Sequence, residues 1–304
     1  KIEFAETVNL NGELILVNEV LHPVFLTFNK SGFLIVSSYK SDDQVFVYTL
    51  PDLKYHTSFG KHGQGPGDMQ AFAMFCNSLS ESLYIWGYTD VSIKRFLCDS
   101  VIRPVEKFRL AGYESVNNMH IANDSILIYN LMDQLEIKKT GLKSGKEIDK
   151  IQLEKDNHRE SYYFSNRGIL AANDRFIVYT YLYKKEIDIY DIETMKLKTK
   201  LKGDYNFEMP QIGNFNSKKY YINVLAGKNY FYALTTNEDN SKMIDMEVYD
   251  YEGNSVVKYS FDINPQLFTI DEENNYMYGY SEAHEDYFLR YKLPLIKDSE
   301  RIEK

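Results

Sequence analysis

Ala122-Asn-Asp-Ser-Ile-Leu-Ile-Tyr-Asn130 and Ala172-Asn-Asp-Arg-Phe-Ile-Val-Tyr-Thr180 are one phrase written twice, 50 residues apart. Each opens on Asn-Asp, whose short polar side chains favour a turn, and runs into β-branched and aromatic residues, which favour an extended strand. Related apolar runs begin at Phe33, Leu83, Tyr230 and Tyr276; with Ile126 and Phe176 the six starts are spaced by 50, 43, 50, 54 and 46 residues. A second strand follows each after a polar gap, at 45–48, 93–96, 135–138, 187–190, 246–249 and 288–291, and all but one end in an aromatic residue. An apolar strand also precedes each turn, at 24–28, 72–75, 119–121, 169–171, 220–224 and 267–270. Several units continue through a short turn into a fourth strand.

Six units of four strands each are the signature of a six-bladed β-propeller, all-β, with four-stranded antiparallel blades. The 304 residues then form a single domain, 1–304, although length alone would suggest about two. The sixth unit stops at Pro294 without its own fourth strand, while the N-terminal segment 1–20, with strand-like Glu13-Leu-Ile-Leu-Val17, is left over. This segment is expected to supply the missing strand and close the ring, which removes the exposed edge of a linear array. The charged tail 296–304 is expected to fray. A helix over 281–292 would break the register of the sixth unit, so that stretch is read as a strand pair.

Composition agrees with this architecture. The chain carries 26 Tyr, 18 Phe and one Trp, 15% aromatic, a bias towards half-buried pleated surfaces. No run approaches the 18 or so uncharged apolar residues of a membrane-spanning helix. The formal charge of −9 is the wrong sign for a binder of duplex nucleic acid or of an anionic bilayer. Cys76 and Cys98 fall on non-adjacent strands of one unit, so no bridge is expected between them. The sequence starts at Lys1, and a removed signal segment or a boundary upstream is expected.

Between the first and second units stands Phe59-Gly-Lys-His-Gly-Gln-Gly-Pro-Gly-Asp-Met69. It resembles the Gly-rich linker between blades of NHL-type propellers. It is closer still to the Gly-x-Gly-Pro-Gly linker of six-bladed, TolB-like propellers among exported Bacteroidetes proteins. Ser92-Ile-Lys-Arg-Phe96 also resembles the NHL strand that ends in a basic residue and an aromatic. The resemblance implies an exported protein of the periplasm or surface of a Gram-negative cell, lipid-tethered through a segment upstream of Lys1. Physically, Gly60, Gly63, Gly65 and Gly67 permit positive φ, and Pro66 fixes one φ between them, as a tight crossing from an outer to an inner strand requires. A phosphate-cradling loop would need a following Lys-Ser/Thr and a helix, and neither is present.

Chemistry is harder to find. His22, His56, His62, His120, His158 and His284 show no local metal-ligand spacing, and no Gly-x-Ser-x-Gly appears, so no metal, cofactor or catalytic residue is assigned. In a propeller, the inter-blade loops and the loops between second and third strands share one rim. That rim is expected to carry the binding residues Arg167, Tyr163, Tyr162, Arg159, His62 and His284, with Arg167 leaning towards the axis. Asn117, Asn118, Asn166, Asn223 and Asn264 near the inner strands offer oxygens of the kind calcium takes. The run Asp271-Glu-Glu273 falls in a hairpin turn on the opposite face and reads as solvated. Loop tyrosines (Tyr39, Tyr88, Tyr113, Tyr183) suit stacking on a ligand, although most of the tyrosine excess is expected to pack blade on blade. Two functions follow: a monomeric, non-catalytic binding or scaffold protein for a protein, peptide or glycan, or a metal-dependent lyase or hydrolase working at the channel mouth.

Overall fold

The computed structural model describes residues 2–38, 40–69, 73–87, 89, 91–99, 101–110, 116–131, 134–154, 165–206, 218–237 and 243–296. Two short strands, β1 (Thr7–Leu10) and β2 (Glu13–Leu16), are followed by meanders. The first is β3 (Pro23–Asn29), β4 (Phe33–Ser38), β5 (Asp43–Thr49) and β6 (Lys54–Lys61); the second is β7 (Met74–Ser78), β8 (Ser82–Gly87), β9 (Ser92–Leu97) and β10 (Arg103–Arg109). The third is β11 (Val116–Ala122), β12 (Ile126–Leu131), β13 (Glu136–Gly141) and β14 (Glu147–Gln152); the fourth is β15 (Gly168–Ala172), β16 (Phe176–Tyr181), β17 (Glu186–Asp191) and β18 (Leu197–Lys202). Then come β19 (Tyr221–Ala226), β20 (Tyr230–Thr236), β21 (Ile244–Asp250) and β22 (Ser255–Phe261), and finally β23 (Leu267–Asp271), β24 (Tyr276–Tyr280) and β25 (Tyr287–Lys292). The architecture is an all-β propeller of four-stranded antiparallel blades.

Within each meander the strands explain themselves. Middle strands are covered by sheets on both faces and read as continuous apolar runs, as Phe176-Ile-Val-Tyr-Thr-Tyr181 of β16 does, with every residue buried. Outer strands are wet, and Leu197-Lys-Thr-Lys-Leu-Lys202 of β18 puts its lysines into solvent. The strand pair expected over 281–292 is corrected to one 3-10 turn, Glu282–His284, followed by the single strand β25, whose partner β24 lies before the stretch.

The N-terminal segment supplies two strands where one was expected. β2 pairs antiparallel with β25 from Glu13↔Arg290 to Leu16↔Tyr287. β1 pairs parallel with β22, making a fifth strand on that blade. The two are separated at Asn11-Gly12, where the Gly12 N–H donates to both carboxylate oxygens of Asp262 at 3.0 and 3.1 Å. A second departure from the sequence reading lies between the second and third meanders. There β7 and β11 pair in parallel at His120↔Asn77 and Ile121↔Ser78, so eight strands share one continuous sheet.

The core consists of apolar clusters lying between successive sheets. One joins Val178, Ile189, Phe231 and Tyr249, and another returns from Tyr278, Tyr280 and Phe288 to Leu34, Val36 and Tyr48 of the first meander. Among the described residues, eight of the twelve largest fully buried side chains are tyrosines, so the tyrosine excess serves mainly sheet-on-sheet packing. Cys76 and Cys98 are both buried and free.

The repeated Asn-Asp turns have a structural purpose visible only in the fold. The Asn173 side-chain carbonyl accepts the N–H groups of Arg175 and Phe176 at 2.8 Å, which shapes its own turn; its amide donates to Gly227 O, 2.8 Å away in the next sheet's turn. Asn29 does the same, with its amide on Glu81 O at 2.8 Å, and the Asn123 amide donates to Asp174 O at 3.1 Å. Tyr84 Oη reaches Asp124 at 2.9 Å, and the Phe28 N–H donates to Thr269 Oγ1 at 3.0 Å. Glu272, expected to be solvated, is instead a clamp. Its carboxylate accepts the N–H groups of Lys228, Asn229 and Tyr230 and the Tyr232 hydroxyl, at 2.9 to 3.2 Å. Three convergent backbone donors are a strong reason to hold an ionised carboxylate in place, and a Cβ on Gly227 would stand 2.2 Å from its Oε1.

Candidate functional site

All the inner strands, β3, β7, β11, β15, β19 and β23, line a central axis. The chain enters each of them from the inter-blade connections, so strand beginnings mark one face and the Asn-Asp turns mark the other. Towards the beginnings lies a cavity of about 340 Å³. Its wall mixes the aromatic side chains of Phe25, Phe75, Trp86 and Phe268 with polar ones, among them Asn77, Asn118 and Asn223.

Three of the inner strands are bulged at this end. The register slips between Pro23 and Phe25, between Asn117 and Met119, and between Tyr221 and Asn223, which makes Val24, Asn118 and Ile222 the extra residues. These belong to alternate meanders, the first, third and fifth, and all three residues line the cavity. A bulge bends its strand and re-aims a side chain, so the axis is widened at this end by three local defects in pairing. Asn118 adopts φ 43°, tolerated by Asn more readily than by most side chains. Its Oδ1 is buried with no hydrogen-bond partner among the described residues.

At the far end of the same axis, ringed by the turns, is a smaller cavity of about 140 Å³ lined by Thr27, Asn77, His120, Leu225 and Ile270 among others. His120 is 2% exposed, and burial pushes its imidazole pKa down to about 4. Sequence reading counted this histidine without assigning it. On an alternating strand a buried and an exposed histidine look alike, and only the parallel pairing with β7 carries it to the axis.

The residues expected to bind are distributed differently. Arg167 directly precedes β15 and is half-buried, its carbonyl accepting the Leu182 N–H at 2.8 Å. Its charge stabilises the ionised form of the Tyr179 phenol, although burial, the larger effect, still pushes that group up. His62 is held by the Gln44 amide, 3.0 Å from its Nδ1, and half-buried His284 ends the 3-10 turn. None of the three lines either cavity. Tyr162, Tyr163 and Arg159 lie outside the described residues, as do His158, Tyr39, Tyr88 and Tyr113. Asn166 donates its amide to Glu154 O and Asn264 accepts the Ile244 N–H, so of the described asparagine side chains expected near the inner strands only Asn118 and Asn223 share a cavity. Among the described residues no three His, Cys, Asp or Glu side chains are grouped as metal ligands, and no helix is long and apolar enough to cross a membrane.

The Gly-rich linker is a built turn. Gly60 alone takes positive φ, at 83°. Gly63 and Gly65 are needed for room: the Asp68 carboxylate caps the Gly65 N–H at 2.8 Å, and a Cβ on Gly63 would come 2.3 Å from Asp68 Oδ2. The expectation of positive φ at Gly63, Gly65 and Gly67 is therefore corrected: at Gly63 and Gly65 the need for glycine comes from the Asp68 side chain, and a Cβ on Gly67 would meet only Pro104, at 3.9 Å.

Two buried carboxylates sit away from the axis. Asp188 accepts the hydroxyls of Tyr181 and Tyr190 at 2.8 and 3.0 Å, and Glu247 those of Tyr249 and Tyr221 at 2.5 and 3.1 Å. Burial raises the Glu247 pKa, against the pull of Tyr249, Lys185 and Tyr221. A carboxylate raised on folding binds its proton more tightly in the folded state, so its stabilisation is complete below the unfolded value, about 4.3. That contribution is lost as pH rises through the folded value. Relative to Glu247→Gln, the wild type should lose stability across that window and run parallel above it, in urea melts between pH 4.5 and 8. A constant difference at every pH would show that Glu247 is not perturbed.

No protein-family model matches the chain, and no curated protein does. Among solved structures it is similar to the crystal structure of the RRP9 WD40 repeats, with 7% identity over 93% of this chain and 97% of that one, at a TM-score of 0.58. At that identity the likeness establishes the propeller fold alone. Propellers serve unrelated functions, so the function is argued from the site.

Proposed function

We propose that this chain is a non-catalytic binding propeller whose ligand seats at the axis, on the face where the inter-blade connections enter. With it we propose a six-bladed ring closed by β2, in keeping with the β2–β25 ladder and the cluster that joins the last sheet to the first. The observation that carries the functional reading is the set of bulges at Val24, Asn118 and Ile222, which open the axis on that face and no other. Bulges are commonly retained beside functional sites. The aromatic wall with three asparagines suits an apolar side chain of a peptide or protein flanked by backbone polar groups, and a glycan is the less favoured occupant. Arg167 stays a candidate at the rim of this mouth, with Tyr162, Tyr163 and Arg159 before it in the chain. Export to the periplasm or cell surface is proposed on the resemblance of the 60–67 linker.

Filling the cavity tests this reading. Ile222→Trp and Arg167→Ala should each weaken binding of a panel-selected peptide by about tenfold or more, the loss typical of a central contact. Circular dichroism should show both variants folded. Peptide affinity unchanged by Ile222→Trp, or selection of glycans alone from a mixed panel, would overturn the peptide assignment.

A further inference from the structure

The smaller cavity, at the turn end of the axis, lies outside the site just proposed. Its volume, about 140 Å³, is close to the ~150 Å³ that accepts one benzene ring. Phe28, Leu225, Ile270 and Ala172 make most of its wall apolar. Its frame is rigid, because the turns around it are tied to one another by the hydrogen bonds of Asn173, Thr269 and Glu272. One group in that wall lacks what it needs. His120 Nε2 donates to Leu170 O at 3.0 Å, which fixes the ring proton on Nε2 and leaves Nδ1 as an acceptor. Nδ1 is buried and has no hydrogen-bond partner among the described residues.

A buried acceptor without a donor is left with an uncompensated desolvation cost, which is recovered by whatever brings the donor. With the imidazole held neutral by burial, an anion would meet a lone pair, and an ammonium, although it too could donate to Nδ1, would have to shed its hydration in a mostly apolar cavity. We propose that this cavity binds a neutral, benzene-sized ring bearing one O–H, the phenol class, with the hydroxyl donating to His120 Nδ1 and the ring against Phe28, Leu225 and Ile270. The chemistry is shared by free phenols and by a tyrosine side chain presented by a partner. Binding includes a shift of the His120 ring, because Nδ1 has no exposed surface in the free chain.

The test is a titration of the full chain with phenol and with toluene, followed by the thermal midpoint and by the ¹⁵N resonances of the His120 ring. Phenol should bind saturably at least tenfold more tightly than toluene. It should also move the Nδ1 resonance upfield, as acceptance of a hydrogen bond requires, while toluene leaves it in place. His120→Phe should abolish the preference for phenol. Should that variant not fold, the wild-type Nδ1 shift alone decides. N-acetyltyrosinamide separates the sources: displacement of phenol by it points to a partner's tyrosine, and its exclusion points to a free small molecule. Equal binding of phenol and toluene, no binding of either, or a phenol complex that leaves Nδ1 unmoved would overturn the proposal.

Discussion

Removal of residues 2–20 should unfold the protein at ordinary temperatures. The segment buries Ile2, Leu10, Val17 and Val20, each 8% exposed or less; Ile2 and Leu10 join two different core clusters, and Val17 and Val20 share a third. At about 1.5–3 kcal/mol per buried aliphatic side chain these four contribute roughly 6–12 kcal/mol. That matches the net stability of a whole domain, about 5–15 kcal/mol. Further terms act in the same direction. Phe4 packs edge-on against Tyr249 with ring centroids 5.3 Å apart, and Glu13 pairs with Arg290 at 2.7 Å. Both the β1 and β2 ladders would be lost. Far-UV circular dichroism and limited proteolysis of the truncated chain measure this directly. A truncated chain that melts with the wild type would show that neither ladder holds the ring.

Phe231→Ala should be the most costly single truncation in the fifth sheet, at about 3–5 kcal/mol. Phe231 is fully buried, lies parallel to the Tyr249 ring at 5.0 Å and touches Tyr251 at 5.7 Å. Tyr249 in turn supplies the hydroxyl that holds Glu247, so a hole at Phe231 loosens the ring that keeps a buried carboxylate satisfied. Phe231→Leu keeps much of the volume and should cost well under half as much. Chemical denaturation compares the two. Equal midpoints for Ala and Leu would mean that the neighbouring rings collapse into the space.

The strands were legible because covered strands, wet strands and turns each leave a distinct mark on sequence. β16 reads as a continuous apolar run and β18 as an alternation, and Asn173-Asp174 marks the bend before β16. What the turn asparagines do was not legible, since a side chain that bonds to the next unit 54 residues on leaves no local pattern. The same applies to Glu272, whose partners at 228–230 come from a neighbouring sheet. The bulges left no signal either. Val24, Asn118 and Ile222 have no residue type in common, and their equivalence is a matter of backbone register. Arg167 was chosen because it precedes an inner strand, yet it is the wall of the axis, not its approach, that the cavities record. His120 needed two facts from tertiary structure: the parallel pairing that puts it on the axis, and the Leu170 carbonyl that sets its tautomer.

The parallel pairing of β7 with β11 has a consequence in time as well as in space. A ring of sheets that touch only through side chains can breathe at any seam, since parting two neighbours breaks no backbone ladder. Between the second and third sheets such a separation would break backbone hydrogen bonds as well, so that seam is the last to part. Opening is thus expected at the other junctions, and the amides through His120 and Ile121 should be among the slowest to exchange. The wall that holds His120 is the stationary side of the axis, and whatever dilates to admit a ligand does so opposite it.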